Sequence, residues 1–342
     1  MSSEPTILTI AQEAGCSHSA VSFVLKGKAD QMRISKATAG RIREIADRLG
    51  YVPNEAARRL RSQRSGAVGV IFANLVDEWP GHVAVGARAG FDQSDCIPVL
   101  TFHSSDPVTE RREIQRLLGQ GAEAIVCVPL GQTDNYRLVL DRGIPLVMLG
   151  DAPSGLPEAS SVSWDVRPAA RLATEHLLEH GRRRIAFLGA GSPRPGSSDS
   201  RQEGYLEGLA DAGIAPLSKF TRWANLADPP SVQLALREIL SLPAHQRPNA
   251  MLCSHDTIAL HALSVLDGAG LRVPEDVALI TLGSNGMLAH PRISISTILE
   301  PVEEMGKAAA EVVLELIKNP QAGPIHRRVA GNEIQRRGST RR

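Results

Sequence analysis

From Val68 onward the chain repeats one pattern, a short apolar run followed by an amphipathic stretch. The apolar runs are residues 68–73, 97–102, 124–128, 145–149, 184–188, 250–253 and 277–282, and helix-like stretches at 82–93, 109–119, 171–180, 232–240 and 258–267 separate them. Strands this apolar have no polar face to offer water. They must be covered on both sides, and alternation with helices supplies that cover in a parallel sheet. The run breaks near Ser160, which predicts two doubly wound halves. The Pro-, Ser- and Gly-rich stretch 192–200 follows a strand, at the sheet edge where α/β folds bind ligands.

The first 50 residues have a different texture. Thr6 is an N-cap for a first helix ending at Gly15, Ser17 caps a second over residues 18–25, and Ser35 opens a third. In the third, Ile42, Ile45, Ala46 and Leu49 recur at helical spacing. Ala11 is the small residue that lets two helices touch, Gly15 makes the turn, and Ile10, Ala14, Cys16, Val21 and Val24 fill the apolar positions. That is the pattern of a helix-turn-helix. Charge agrees with it. Residues 1–65 carry 11 Lys and Arg against 6 Asp and Glu, a net +5, while the remainder carries 27 against 31, a net −4. A basic head on a mildly acidic body suits a nucleic-acid module joined to something else.

Other classes are excluded. No apolar run reaches the length of about 18 residues that spans a bilayer, and the start has no secretory pattern. Cys16, Cys96, Cys127 and Cys253 are far apart, which argues against a zinc site or disulfide framework and predicts a cytoplasmic protein. His176-Leu-Leu-Glu-His180 formally matches an inverted zinc-protease motif, but a helix C-terminus before Gly181 explains the pair more simply. Gly189-Ala-Gly191 lacks the third glycine of a dinucleotide site. No Walker loop or nucleophile elbow is present, so neither a metal, a cofactor nor a catalytic residue is expected.

Several segments together resemble the LacI/GalR family of bacterial transcription regulators: TILTIAQEAGCSHSAVS at 6–22, LGYVPN at 49–54, ARRL at 57–60, HLLEHGRRRIAFLG at 176–189, RQEGY at 201–205 and RGST at 337–340. The resemblance covers nearly the whole chain. It implies a small all-α helix-turn-helix headpiece at 1–52, a hinge helix and linker at 53–65, and an α/β core at 66–342. The core would be two doubly wound parallel-sheet subdomains of periplasmic-binding-protein type, one from about 66–162 and 292–322, the other from 163–291 and 323–342. It also implies a homodimer on a pseudo-palindromic operator in double-stranded DNA, with affinity switched by a small effector held between the subdomains. A solute-binding protein is opposed by the headpiece, and an enzyme using the same cleft by the missing acid–base or nucleophile set.

Carried onto this sequence, the DNA-contacting set is Thr6, Ser17, His18, Ser19, Ser22, Phe23, Lys26 and Ser35 in the headpiece, and Asn54, Ala57 and Leu60 in the hinge. Phe23 stands where the family usually has arginine, so a bidentate guanine contact is replaced by an apolar one. Leu60 occupies the position of the family's minor-groove wedge. The hinge is too short to be a stable isolated helix, and Arg58 and Arg61 repel at i, i+3, so it is expected to fold on DNA. The effector set is Trp79, Arg201, Trp223, His255, Asp151 and Asn285, while Trp164 is read as structural. The family's cleft aspartates are replaced here by Gly150 and Gly283. On that basis the expected effector bears acceptors or negative charge rather than being a neutral sugar.

Overall fold

The computed structural model describes residues 5–25, 27–51, 65–76, 78–131, 133–191, 199–226 and 228–341. The chain divides into two units, Met1–Arg64 and Ser65–Arg342.

In the small unit, α1 (Ile7–Ala14), α2 (His18–Leu25) and α3 (Lys36–Arg48) form where the caps predict. The Thr6 side chain accepts from Thr9 N–H and Thr9 answers to the Thr6 backbone, a reciprocal capping box. Gly15 ends α1 at φ 60°, in the left-handed region that glycine enters without strain. Ser17 accepts from Ala20 N–H at 3.1 Å and Ser35 from Thr38 N–H at 3.1 Å. Ile10, Ala11, Ala14, Val21, Val24, Ala39, Ile42, Ile45 and Ala46 close one apolar core, and Glu13 pairs with Arg48 across it.

The large unit holds two six-stranded sheets. The first half runs β1 (Ala67–Phe72), α4 (Trp79–Phe91), β2 (Ile97–Phe102), α5 (Pro107–Gly119), β3 (Ala124–Cys127), α6 (Thr133–Leu140), β4 (Leu146–Leu149) and β5 (Ser160–Trp164). The second runs α7 (Val166–Glu179), β6 (Ile185–Ala190), α8 (Ser200–Asp211), β7 (Thr221–Ala224), α9 (Pro229–Leu240), β8 (Ala250–Cys253), α10 (Asp256–Gly268), β9 (Ala278–Leu282) and β10 (Ser296–Ile298). Then come α11 (Val302–Lys318), β11 (His326–Val329) and β12 (Ile334–Gln335). The sheet orders are β11-β5-β4-β3-β1-β2 and β12-β10-β9-β8-β6-β7. Every pairing is parallel except β10 with β12. In each sheet the order reverses beside the first strand, which opens a crevice at the carboxyl ends.

The division into subdomains differs from the expected one. Residues 296–298 pair with β9 in the second sheet, and residues 326–329 return to β5 in the first. After the first crossover beyond β5, the others fall at 299–301 and 330–333, not at 292 and 323. Residues 52–64, which include the expected hinge helix, lie outside the described residues.

Two helix pairs hold the subdomains' faces, and both approach closely through glycine. On α4, a Cβ at Gly86 would sit 1.9 Å from the Glu303 carbonyl oxygen, and one at Gly306 on α11 would sit 2.2 Å from that of Val83. On α8, a Cβ at Gly204 would lie 2.1 Å from the Arg167 carbonyl oxygen of α7. These contacts fix the N-termini of α4 and α8, where Trp79 and Arg201 stand.

Candidate functional site

On α2, Val21 and Val24 face the core, which leaves His18 and Ser19 exposed on the opposite face and Ser22 and Phe23 half-buried. Thr6, Ser17 and Ser35 are exposed, each acting as a helix cap. Capping accounts for all three, and the Thr6 and Ser35 hydroxyls also share a bond with those of Thr9 and Thr38. Lys26, Asn54, Ala57 and Leu60 lie outside the described residues.

In the large unit a cavity of about 600 Å³ opens at the carboxyl ends of both sheets. Phe72, Ala73 and Asn74 follow β1, Val128 follows β3, and Gly150 and Asp151 follow β4. Asp199 and Arg201 enter α8, His255 and Asp256 follow β8, and Gly283, Ser284 and Asn285 follow β9. Trp79, Arg201, His255, Asp151 and Asn285 are thus brought together as expected.

Trp223 is not among the described lining residues of this cavity. Its ring lies over Gly189, where a Cβ would meet it at 2.3 Å, and it meets Phe187 edge-on at 5.7 Å. An aromatic on edge strand β7 covers the glycine of its neighbour. Trp164, read as structural, does line the cavity, with its Nε1–H donating to the Gly331 carbonyl at 3.0 Å.

The floor is polar and tightly wired. Trp79 packs edge-on against Phe72 at 6.2 Å and donates its Nε1–H to Glu300 Oε1 at 2.9 Å. Asp199 caps α8 by accepting from Arg201 N–H at 2.8 Å and Gln202 N–H at 3.2 Å. Asp256 Oδ2 accepts from Asn285 N–H at 2.9 Å. At the mouth, Glu78 of the first subdomain accepts from Gly286 N–H of the second at 2.8 Å.

The acid missing at residue 283 is replaced from a neighbour. Gly283 has φ 154°, and a Cβ there would fall 2.2 Å from Asp256 Oδ1. The Asp256 carboxylate occupies the space of a side chain at 283, so the start of α10 delivers the acid. Asp151 likewise stands beside Gly150. Five carboxyl groups, from Glu78, Asp151, Asp199, Asp256 and Glu300, therefore face one guanidinium among the described lining residues. The expectation of an effector bearing acceptors or negative charge rested on a cleft short of carboxylates, and that premise does not hold here.

Burial sets the protonation states. It raises Asp256 to about 6 against two backbone donors, with Glu300 and Glu78 adding repulsion. It also raises Glu300, opposed by the Trp79 bond and by Arg201. Burial, then the Arg201 charge, lower His255 to about 3, so its imidazole is neutral. Its Nδ1 shares a hydrogen bond with Ser254 Oγ at 2.9 Å. Three buried side-chain atoms among the described residues lack a partner, and two of them, Arg201 Nε and Asp256 Oδ1, belong to this cavity. Sequence reasoning missed Glu78, Asp199, Asp256 and Glu300 because an acid in a loop is ordinarily solvated. Only the fold shows which ones converge.

The third unpartnered atom is Nδ1 of His176. That residue is buried, pushed down to about 4 by burial and by His180, and shares a bond with Thr340 Oγ1 at 2.9 Å. It is a core histidine. Among the described residues no group of three or more His, Cys, Asp or Glu is placed to hold a metal, and no helix is long and apolar enough to cross a membrane.

Comparison with known proteins matches residues 6–54 to the bacterial regulatory proteins of the lacI family and residues 174–340 to a periplasmic binding protein-like domain. The transcriptional regulator CelR of Thermobifida fusca is 29% identical over 94% of each chain, and GntR of Escherichia coli K12 is 26% identical over 94% of each. Among solved structures, a CelR–cellobiose complex aligns with a TM-score of 0.71 at 24% identity, over 98% of this chain and 99% of that one. A lac repressor dimer bound to operator and the anti-inducer ONPF aligns at 0.79 and 22% identity, over the same shares. These relatives are transcription regulators. Head, core and motifs agree, and the chain belongs to the LacI/GalR family of DNA-binding, effector-responsive transcription regulators.

Proposed function

We propose that this regulator binds a pseudo-palindromic operator as a homodimer in the cytoplasm and that its cleft takes a neutral, hydroxyl-rich effector of carbohydrate type. The two unpartnered atoms carry the effector reading. Arg201 Nε–H needs an acceptor and Asp256 Oδ1 needs a donor. A hydroxyl-bearing ligand meets both demands, since an unmade buried bond costs about 1–3 kcal/mol per group. Trp79 offers a partly buried aromatic ring for the apolar face of a sugar, and a polyanion would meet five carboxyl groups. The cellobiose bound by the similar CelR supports the same class.

His18 and Ser19 read base edges in this picture, Lys26 and Lys36 touch phosphates, and Leu60 wedges into a base step of the minor groove. Ile97, Leu100 and Phe102 on edge strand β2, with Val85 on α4, leave an exposed apolar row that suits a second copy. No catalytic step is assigned to the chain.

The test is calorimetry with a panel of neutral mono- and disaccharides, sugar acids and sugar phosphates, on the native chain and Arg201→Ala, followed by gel shift on genomic fragments with each binder. Binding of neutral sugars that is lost in Arg201→Ala is expected. A ligand that alters operator binding yet keeps full affinity for Arg201→Ala sinks the site assignment.

A further inference from the structure

The mouth of the cleft is held by like charges. Asp256 heads α10 in the second subdomain, with one oxygen bonded to Asn285 N–H and the other buried and bare. Two carboxyl groups face it, Glu78 from the loop before α4 in the first subdomain and Glu300 from the crossover at 299–301. Glu78 accepts from Gly286 N–H, one residue beyond the amide that Asp256 holds. One loop of the second subdomain is therefore gripped by a carboxylate from each side, and the bond that shuts the mouth also brings Glu78 into the field of Asp256.

Asp151 and Asp199 line the same cavity, and other charged and titratable groups stand near Asp256. Arg337 feels Asp256 from the tail, and the Cys253 thiol beneath it is pushed up by burial and by the same carboxylate. His255 is neutral, and Arg201 acts on Glu300 and His255.

We propose that shutting the cleft takes up one proton, held on the bare oxygen of Asp256 between Glu78 and Glu300, so that acid is itself a closing signal. The inference uses the cleft assigned above as the effector site, but its test needs no effector. The sign follows from linkage. In the shut arrangement Asp256 is raised to about 6, and once opened to water it returns toward its ordinary 3.8. The shut form binds more protons, so it gains on the open form as pH falls through 6. Between pH 7 and pH 5 the shut-to-open ratio rises about ten-fold.

The experiment uses the full chain with Cys16→Ser and Cys96→Ser, and with spin labels at Val76→Cys and Met287→Cys, two exposed positions on opposite lips. Electron resonance distances are recorded from pH 7.5 to 4.8 without ligand. The short-distance population is expected to grow about ten-fold relative to the long one between pH 7 and pH 5, the rise setting in as pH falls through 6. Asp256→Asn should be shut already at pH 7 and lose the response. Glu78→Gln keeps an acceptor for Gly286 but removes a charge, so the onset should move to lower pH. A flat or reversed profile in the native chain overturns the proposal, as does a full response in Asp256→Asn or, should that variant not fold, an unmoved onset in Glu78→Gln. A cleft that binds no sugar but still shuts with acid would sink the effector class and leave this inference standing.

Discussion

Gly86→Ala is the most exacting test of how packing positions the cleft. The new Cβ would lie 1.9 Å from the Glu303 carbonyl oxygen, 2.7 Å from its carbon and 2.9 Å from its Cα. All three are backbone atoms, so no rotamer relieves the clash. An ordinary nonbonded contact is about 3.5 Å, so α4 and α11 must part by roughly 1.5 Å. A gap of that size forfeits at least half of the dispersion well for the contacts at the crossing, among them those around the buried Val83, Ala87, Met305, Ala309 and Ala310. Overpacking of this kind costs about 1–3 kcal/mol, and we expect the upper end, near 3 kcal/mol. For a unit of this size the thermal midpoint should fall by about 6–12 °C. The same displacement pulls Trp79, at the start of α4, away from Glu300, just before α11, so their 2.9 Å bond breaks and tryptophan emission shifts to the red. Gly81→Ala is the control. It lies in the same helix with nothing within 4 Å of its Cβ position, and should gain up to about 1 kcal/mol from helix propensity. Calorimetric melting and fluorescence of the two variants settle it. Equal midpoints in Gly86→Ala and the native chain would refute the argument that backbone contact sets the helix spacing.

Ser35→Ala removes the acceptor for Thr38 N–H and should destabilise the headpiece by about 1 kcal/mol, read from amide exchange in α3. Lys36→Ala should weaken all DNA sequences alike and flatten the salt dependence of binding by about one unit, whereas His18→Ala should cost affinity mainly for the specific site; fluorescence anisotropy at several salt concentrations separates the two. The dimer expectation is checked by sedimentation. A stable tetramer at micromolar concentration would contradict it.

Where apolar pattern and turn chemistry act locally, the sequence was readable. The three headpiece helices start at the capping residues named from sequence, and β2 and β8 span the runs read as strands. The strands missed carry no apolar signature. β5 is Ser-Ser-Val-Ser-Trp, buried because Ser160 and Ser161 find partners in Ile325 N–H and His326. β11 is His-Arg-Arg-Val, an edge strand whose Arg327 pairs with Glu311 and Glu315 on α11. The partners of Ser160 and Ser161 lie 165 positions away, and no local window contains them. The cleft failed in the same way. Arg201 and Trp79 were found by their positions in motifs, but the acids were counted by position, at 150 and 283, while the fold supplies them in space from 151, 256 and 300. Trp223 was assigned by its loop-like neighbours, and what decides its place is the missing side chain of Gly189 on the adjacent strand.

The repeated crossing of the chain between the two sheets bears on how the molecule is made. During synthesis β1 to β5 emerge first, yet the face of α4 that carries Gly86 has no cover until α11 is complete at Lys318. The first sheet then waits for residues 326–329, and the second for 334–335 and for Thr340 to meet His176 and Ser296. Neither subdomain can therefore be finished ahead of the other. Each remains an open apolar surface until nearly the same moment of translation, and the half-made core is the form in which this protein most needs shielding from its neighbours.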